Sequence, residues 1–208
     1  MIKQKNYWDT FYREKKITLQ KSKFAFFCKK FLKNYKGTLY DIGCGNGRDV
    51  LFFNEKNIHC IGIDKSKEAI KKNKKKIVKY QNKFLMKNFC GLFNKKSIND
   101  NFSIYSRFTL HAINYNDEKK LIESLKNKKN LNYIFIECRT IKDDFYGLGK
   151  KVGKHEFISS HYRRFIDPKV LKNKLRKYFK IVYFKESKNF AKFKNENPCV
   201  LRIIAKKK

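Results

Sequence analysis

The run Tyr40-Asp41-Ile42-Gly43-Cys44-Gly45-Asn46-Gly47-Arg48-Asp49 restricts this chain more than any other feature. The apolar segment TLYDI (38–42) reads as a β-strand, and the residues after the glycines read as a helix from about 47 to 56. Glycines between a strand and a helix let the backbone turn tightly and let a ligand approach without Cβ atoms in the way. The helix that follows offers its unsatisfied N–H groups to that ligand. IHCIGI (58–63) is the next strand and runs into Asp64, a position from which a carboxylate can accept both hydroxyls of a ribose. The glycines fall one residue short of the G-x-G-x-x-G dinucleotide fingerprint, and the absence of GK[ST] after them excludes a Walker phosphate loop.

The rest of the chain keeps the same rhythm. Helices are predicted over 5–16 and 21–34, before the first strand. A helix over 66–79, which Ser66 can cap, separates the second strand from strands at 83–88 and 102–106. A helix starting near Asp117 leads to the apolar strand LNYIFIE (131–137). A polar stretch over 139–166 breaks the alternation and reads as a long loop; a helix (167–178) and two strands (180–185 and 199–205) close the chain. Alternating strands and helices imply a mostly parallel sheet covered on both faces, and two closing strands without a helix between them imply an antiparallel hairpin at one edge.

Asp41-x-Gly43-x-Gly45-x-Gly47, with Asp64 at the end of the next strand, resembles motif I and the ribose-binding acid of class I S-adenosylmethionine (SAM)-dependent methyltransferases. The resemblance implies a three-layer Rossmann-like α/β fold with a seven-stranded sheet ordered 3-2-1-4-5-7-6 and strand 7 antiparallel. It implies one domain over 1–208, with an N-terminal helical cap (1–36) and an active-site insertion (139–166). It also implies SAM as cofactor and S-adenosylhomocysteine (SAH) as its product. Tyr7, Trp8 and Tyr12 correspond to a cap whose aromatic closes over the cofactor. By the same resemblance Cys44, inside the first motif, and Asp49 and Lys65, beside the two motifs, are cofactor contacts. Asn88 and Phe89 fall where the family contacts adenine, usually through Asp, and Ser106 falls where backbone atoms approach the methionine end. SRFTLHAI, ECRT-x-x-DD-x-YG and HYRRF are similar to small methyltransferases that accompany polysaccharide and surface-glycan biosynthesis enzymes.

The acceptor would lie at the carboxyl ends of the strands, where 106–111, 137–140 and 139–166 converge. His111, Glu137 and His161 are the candidate bases, with His the side chain that titrates near neutrality unaided. Arg107, Arg139, Arg163 and Arg164, with Tyr146 and Tyr162, are the candidate substrate contacts. Arginine forks suit phosphate or carboxylate; the same residues could instead pair with Asp143, Asp144 or Glu137 and order the loop. Cys138 lacks the supporting motif of a covalent nucleophile.

The formal charge of +34 admits a polyanionic partner, with tRNA or rRNA methylation as the second reading. The excess is mostly lysine, in a chain also rich in Asn, Ile, Phe and Tyr, and A/T-rich codons produce that composition without selection for nucleic acid. A SAM-binding regulator without catalysis is the third reading. No apolar run reaches the length of a membrane span, and the N-terminus has no secretory h-region. Six scattered cysteines, without metal-ligand spacing, fit reduced thiols and a cytoplasmic protein, with no metal expected.

Overall fold

The computed structural model describes residues 2–14, 18–94, 100–193 and 195–208. The last two residues of the expected first helix, 15 and 16, lie outside them.

Seven strands form the central sheet: β1 (Thr38–Ile42), β2 (Cys60–Asp64), β3 (Phe84–Met86), β4 (Phe102–Arg107), β5 (Leu131–Arg139), β9 (Phe179–Ser187) and β10 (Val200–Lys207). Their order is β3-β2-β1-β4-β5-β10-β9, the order the resemblance implied. Tyr40 of β1 aligns in parallel with Ile61 on one side and Ile104 on the other. Only β10 breaks the direction, running antiparallel to both β5 and β9.

Alternate residues of these strands feed two cores, as a sheet buried on both faces requires. Leu39, Tyr105 and Phe135 face α2 (Lys23–Lys29) and α3 (Arg48–Glu55), where Phe24, Cys28, Val50 and Phe53 complete one core. Ile42, Ile104 and Ile136 face the other side, with Leu121 and Leu125 of α5 (Tyr115–Lys126) and Leu171 and Leu175 of α6 (Pro168–Arg176). Helix starts are fixed by the residue types that suit them. Ser66 accepts from Ala69 N at the start of α4 (Lys67–Lys76), as expected, and Asn114 accepts from Asp117 N at the start of α5, two residues earlier than Asp117. The expected helix over 21–34 is shorter, ending as a 3₁₀ turn over Lys30–Leu32.

The stretch 139–166 is a correction to the sequence reading: it is not a plain loop. β6 (Lys150–Gly153), β7 (Glu156–Ile158) and β8 (Tyr162–Arg164) form a separate antiparallel sheet. Its strands are three or four residues long and rich in charge, too short to give an alternating pattern. Tyr146 packs against Phe157 and Phe165, with ring centroids 5.2 and 5.5 Å away, and gives this small sheet its own apolar centre. The segment is tied to the main sheet where Ile166 N donates to Arg139 O and Ile141 N to Ile166 O.

Helix α1 (Ile2–Glu14) lies across the carboxyl ends of the strands. Asp9 accepts from Ser66 Oγ (2.6 Å) and Glu68 N (3.2 Å), adding a second carboxylate-type cap to the start of α4. Tyr7 stacks on His161, centroids 4.5 Å apart, so α1 bridges the first half of the sheet and the 139–166 insertion.

Candidate active site

A cavity of about 1120 Å³ opens at the carboxyl ends of the strands, under α1. Its first half is built by the ends of β1, β2 and β3. Gly43 and Gly45 hold positive φ (71° and 51°), and a Cβ on Gly43 would fall 2.6 Å from Thr109 Oγ1. Only glycine meets both demands without strain. Asp64 sits at the end of β2, accepting from Gly45 N and Ser66 N, each at 2.9 Å. Burial raises its carboxyl above the usual range, against the lowering effect of those N–H donors. Tyr7, Trp8, Tyr12, Asp41, Cys44, Lys65, Asn88 and Phe89, all named from the sequence, line this cavity. Lys65 is 3.8 Å from Asp117 and 5.6 Å from the Phe89 ring centroid.

Three expected cofactor contacts play other parts. Gly47 lies off the cavity wall, starting α3 in a left-handed conformation against Phe84. Asp49 borders the cavity, but Ser22 N and Oγ and Tyr105 Oη (2.7–2.8 Å) occupy its carboxylate, tying α2 and β4 to α3. Ser106 is 1% exposed and outside the lining, its Oγ without a hydrogen-bond partner among the described residues. Its neighbour Phe108 carries the turn after β4 instead. Phe108 holds φ +58°, an unusual value for an aromatic residue, fixed by its N–H to Glu137 O (2.8 Å). The following Thr109 donates its hydroxyl to Ile42 O (2.7 Å), closing this turn on the glycine loop.

The second half is built by the ends of β4 and β5 and by 160–163. Of the candidate acceptor-side residues, His111, Arg107, Arg139, His161, Tyr162 and Arg163 line it. The other three candidates do not. Glu137 is 0% exposed and clamped, Oε1 by Arg107 Nε (2.9 Å) and Oε2 by Arg202 Nε (2.7 Å), so it cannot serve as the base. Arg164 turns into the protein, bonding Ile113 O, Leu110 O and Glu118, which Lys174 also pairs. Burial pulls the Glu118 carboxyl up, but these two cations override it and hold it below the usual range. Tyr146 belongs to the small sheet, its Oη 2.8 Å from His155 Nδ1.

Ordering and binding are divided among the arginines. Arg139 is held by Asp143 (3.0 and 3.1 Å) and Glu196 (2.6 Å). Arg107 donates its Nε to Glu137 and lies over the Phe108 ring (4.3 Å), and Arg163 donates to Ser159 Oγ and lies over the Phe145 ring (5.3 Å), which leaves other N–H groups of both without a hydrogen-bond partner among the described residues. The sequence reading missed Arg48, the first residue of α3: it lines the cavity with no hydrogen-bond or ion-pair partner among the described residues. Burial and the neighbouring Arg107 lower its pKa. An arginine directly after the glycine turn was the available signal. Both histidines are held neutral: burial and Arg163 bring His161 down to about 4, and burial with Arg139 and Arg163 lowers His111 well below its ordinary value. Cys138 is fully buried off the cavity, its thiol pushed up by burial.

Among the described residues, no group of His, Cys, Asp or Glu could hold a metal ion, and no helix is long and apolar enough to cross a membrane. No curated protein matches the sequence. Solved structures share the fold at low identity. A SAM-dependent methyltransferase from Anabaena variabilis is 19% identical (TM-score 0.68, covering 98% of this chain and 93% of that one). One from Methanosarcina mazei is 18% identical (TM-score 0.67, 85% and 96%). The glycopeptide N-methyltransferase MtfA, solved with SAH, is 11% identical (TM-score 0.61, 90% and 91%). The family described as "Methyltransferase domain" matches residues 33–198, most of the sheet and both halves of the cavity floor, and this chain belongs to it.

Proposed function

We propose that this enzyme transfers the methyl group of SAM to an oxygen of a small anionic metabolite, phosphorylated or sugar-linked, in a pathway such as surface-glycan biosynthesis. The observation that carries this is the polarity of one continuous cavity: Asp9, Asp41, Asp49 and Asp64 crowd the β1–β3 half, Arg107, Arg139 and Arg163 the β4–β5 half, and Arg48 at the start of α3 adds its charge beside Arg107. The residues of the first half fit SAM. Asp64 would hold the ribose hydroxyls, the Gly43–Gly45 turn would admit the nucleoside against bare backbone, and Asn88 and Phe89 would border the base. Bound there, SAM supplies a methyl group made electrophilic by its sulfonium. Two of the structural neighbours, MtfA with SAM and MtfA with SAH, were solved with these ligands.

The chain's part is to bind, orient and exclude water. Tyr7, Trp8 and Tyr12 of α1 would cover the site, Arg163 and Arg107 would hold the acceptor's charge, and His111 and His161 would shape its seat. The segment 1–36 acts as a cap and 139–166 as an acceptor-side insertion of one domain. Six buried, unpaired cysteines support a reducing compartment such as the cytoplasm.

RNA methylation has one observation in its favour. Ten lysines lie between 65 and 87 with a single glutamate, six of them on α4 and two, Lys65 and Lys87, on the cavity wall. They flank the aspartate half, however, away from the acceptor side. The deciding experiment incubates the protein with methyl-tritiated SAM and an extract of the source cells, then separates soluble metabolites from precipitated nucleic acid. Label in the metabolite fraction supports the small-molecule reading, and label in RNA overturns it.

A further inference from the structure

The acceptor half of the cavity holds strong cations and, among the described residues, no carboxylate without a cationic partner. Glu137 is gripped on both oxygens by Arg107 and Arg202. Asp143 and Glu196 are spent on Arg139. On the other half, Asp9 caps α4, Asp117 pairs with Lys65, Asp49 holds Ser22 and Tyr105, and Asp64 accepts two backbone N–H groups. Asp41 lines the cavity at the end of β1, buried beside Asp49 and Asp64.

The histidines are poorly suited to the task. His111 Nδ1 accepts from Arg139 N at 3.4 Å, and its ring lies 5.1 Å from that of Phe108. Arg107, Arg139, Arg163 and His161 face it. His161 Nδ1 meets Ser160 Oγ at 3.1 Å while its ring stacks on Tyr7, with Arg163 and Arg139 facing it. A general base works best with a pKa near the operating pH, and cations packed around an imidazole oppose any proton it takes up.

What this half offers is guanidinium N–H groups, and Arg48 of α3 adds its own from beside Arg107. Arg48 has no hydrogen-bond or ion-pair partner among the described residues, Arg107 hydrogen-bonds only through Nε, and Arg163 only through one terminal nitrogen. Resting on the small-molecule reading above, we infer that the atom methylated is an oxygen of the acceptor's own anionic group, a carboxylate or phosphate held by Arg107, Arg163 and Arg48, and that the product is a methyl ester formed without a general base. The acceptor oxygen's lone pair makes the O–CH₃ bond as the S–CH₃ bond breaks and its electron pair stays on sulfur. The acceptor's negative charge and the sulfonium's positive charge cancel, so no proton is released. An alcohol would have to lose its proton to His111 or His161, whose imidazoles the surrounding guanidiniums keep from accepting it. An amine would arrive as an ammonium facing three guanidiniums.

The test reads the chemistry of the product, using the unmodified full-length protein. Methyl-tritiated SAM is supplied with the soluble small-molecule extract, and labelled product is treated with mild alkali. Carboxyl methyl esters give volatile tritiated methanol. A methylated phosphate keeps its label, but its ³¹P signal no longer titrates near the second phosphate pKa of about 6. Either result supports the inference and names which anion is used. A label stable to alkali on an ether or amine, with one proton released per methyl in weak buffer, overturns it while leaving the small-molecule function intact. Label confined to RNA, or no transfer despite measured SAM binding, overturns both.

Discussion

Replacing Glu137 by Gln separates a clamp from a base. Glu137 sits at zero exposure between two guanidiniums, with 2.9 and 2.7 Å contacts to Arg107 and Arg202, and Arg202 is packed on the rings of Phe24, Phe27 and Phe190. Glutamine keeps the shape but removes the charge, and turns an NH₂ toward one of the two donors. Removing one partner of a buried ion pair costs about 3–5 kcal/mol, because the cations left behind stay desolvated. That is a large share of a total stability of about 5–15 kcal/mol, so the variant should fold but only just. With a urea m-value of about 2 kcal/mol/M, the midpoint should fall by about 1.5–2.5 M. Adding Arg202→Met should recover part of the loss, since an apolar chain suits the aromatic pocket and only Arg107 then lacks its partner. A Glu137→Gln protein with the wild-type urea midpoint and no turnover would refute the reasoning and return Glu137 to the role of base.

Asp64→Ala should weaken SAM binding by roughly 1–3 kcal/mol through lost charged hydrogen bonds, about 5- to 150-fold by calorimetry; unchanged affinity would remove Asp64 from the ribose. Arg163→Gln should raise the acceptor KM with SAM affinity unchanged. Arg164→Met should leave KM alone and lower the unfolding midpoint, since Arg164 is buried against Glu118. His161 has a folded pKa near 4, below its ordinary 6.5. The unfolded chain therefore binds the extra proton between those values, and stability should fall as pH drops from about 6.5 toward 4, then level off. Thermal melts of His161→Gln across that range should show a shallower fall; an identical slope would contradict the depressed pKa. Raising salt from low to physiological should slow acceptor association more than SAM association, read by stopped-flow quenching of Trp8, the chain's single tryptophan.

The sheet and the glycine turn were legible because their signals are local. A strand, three glycines, a helix and a carboxylate in register leave few folds open; the alternation of elements implied the closing antiparallel hairpin, and the family resemblance implied the strand order. The acceptor side was legible only as a neighbourhood. Whether an arginine meets a carboxylate or a ligand depends on partners far along the chain: Glu137 finds Arg202, 65 residues on, and Arg164 finds Glu118, 46 residues back. Adjacent residues such as Arg163 and Arg164 point to opposite faces of β8, a period-two fact that needed the strand to be recognised first. The Ser106 side chain is buried for the same reason, since a β4 residue beside one that reaches the cavity faces away from it. Arg48 was overlooked because the glycines drew attention to backbone, whereas the first residue of the helix supplies the side chain.

The charge of the whole chain and the charge of the site do different things. Of 18 acidic residues, six line this one cavity: Asp9, Asp41, Asp49, Asp64, Asp117 and Glu196. A protein at +34 repels a cationic sulfonium nucleoside at long range, so its affinity must come from contacts inside the screening distance of about 8 Å at physiological salt. Five clustered aspartates provide that local reversal of sign. The acceptor half needs no reversal, because an anion is drawn by the overall field and met by guanidiniums of the same sign. Lysines spread over the surface by composition alone would still produce the field, and so their number says little about the partner. The placement of a few aspartates and arginines around one cavity says much more, and the proposal of an anionic acceptor rests on that placement rather than on the net charge.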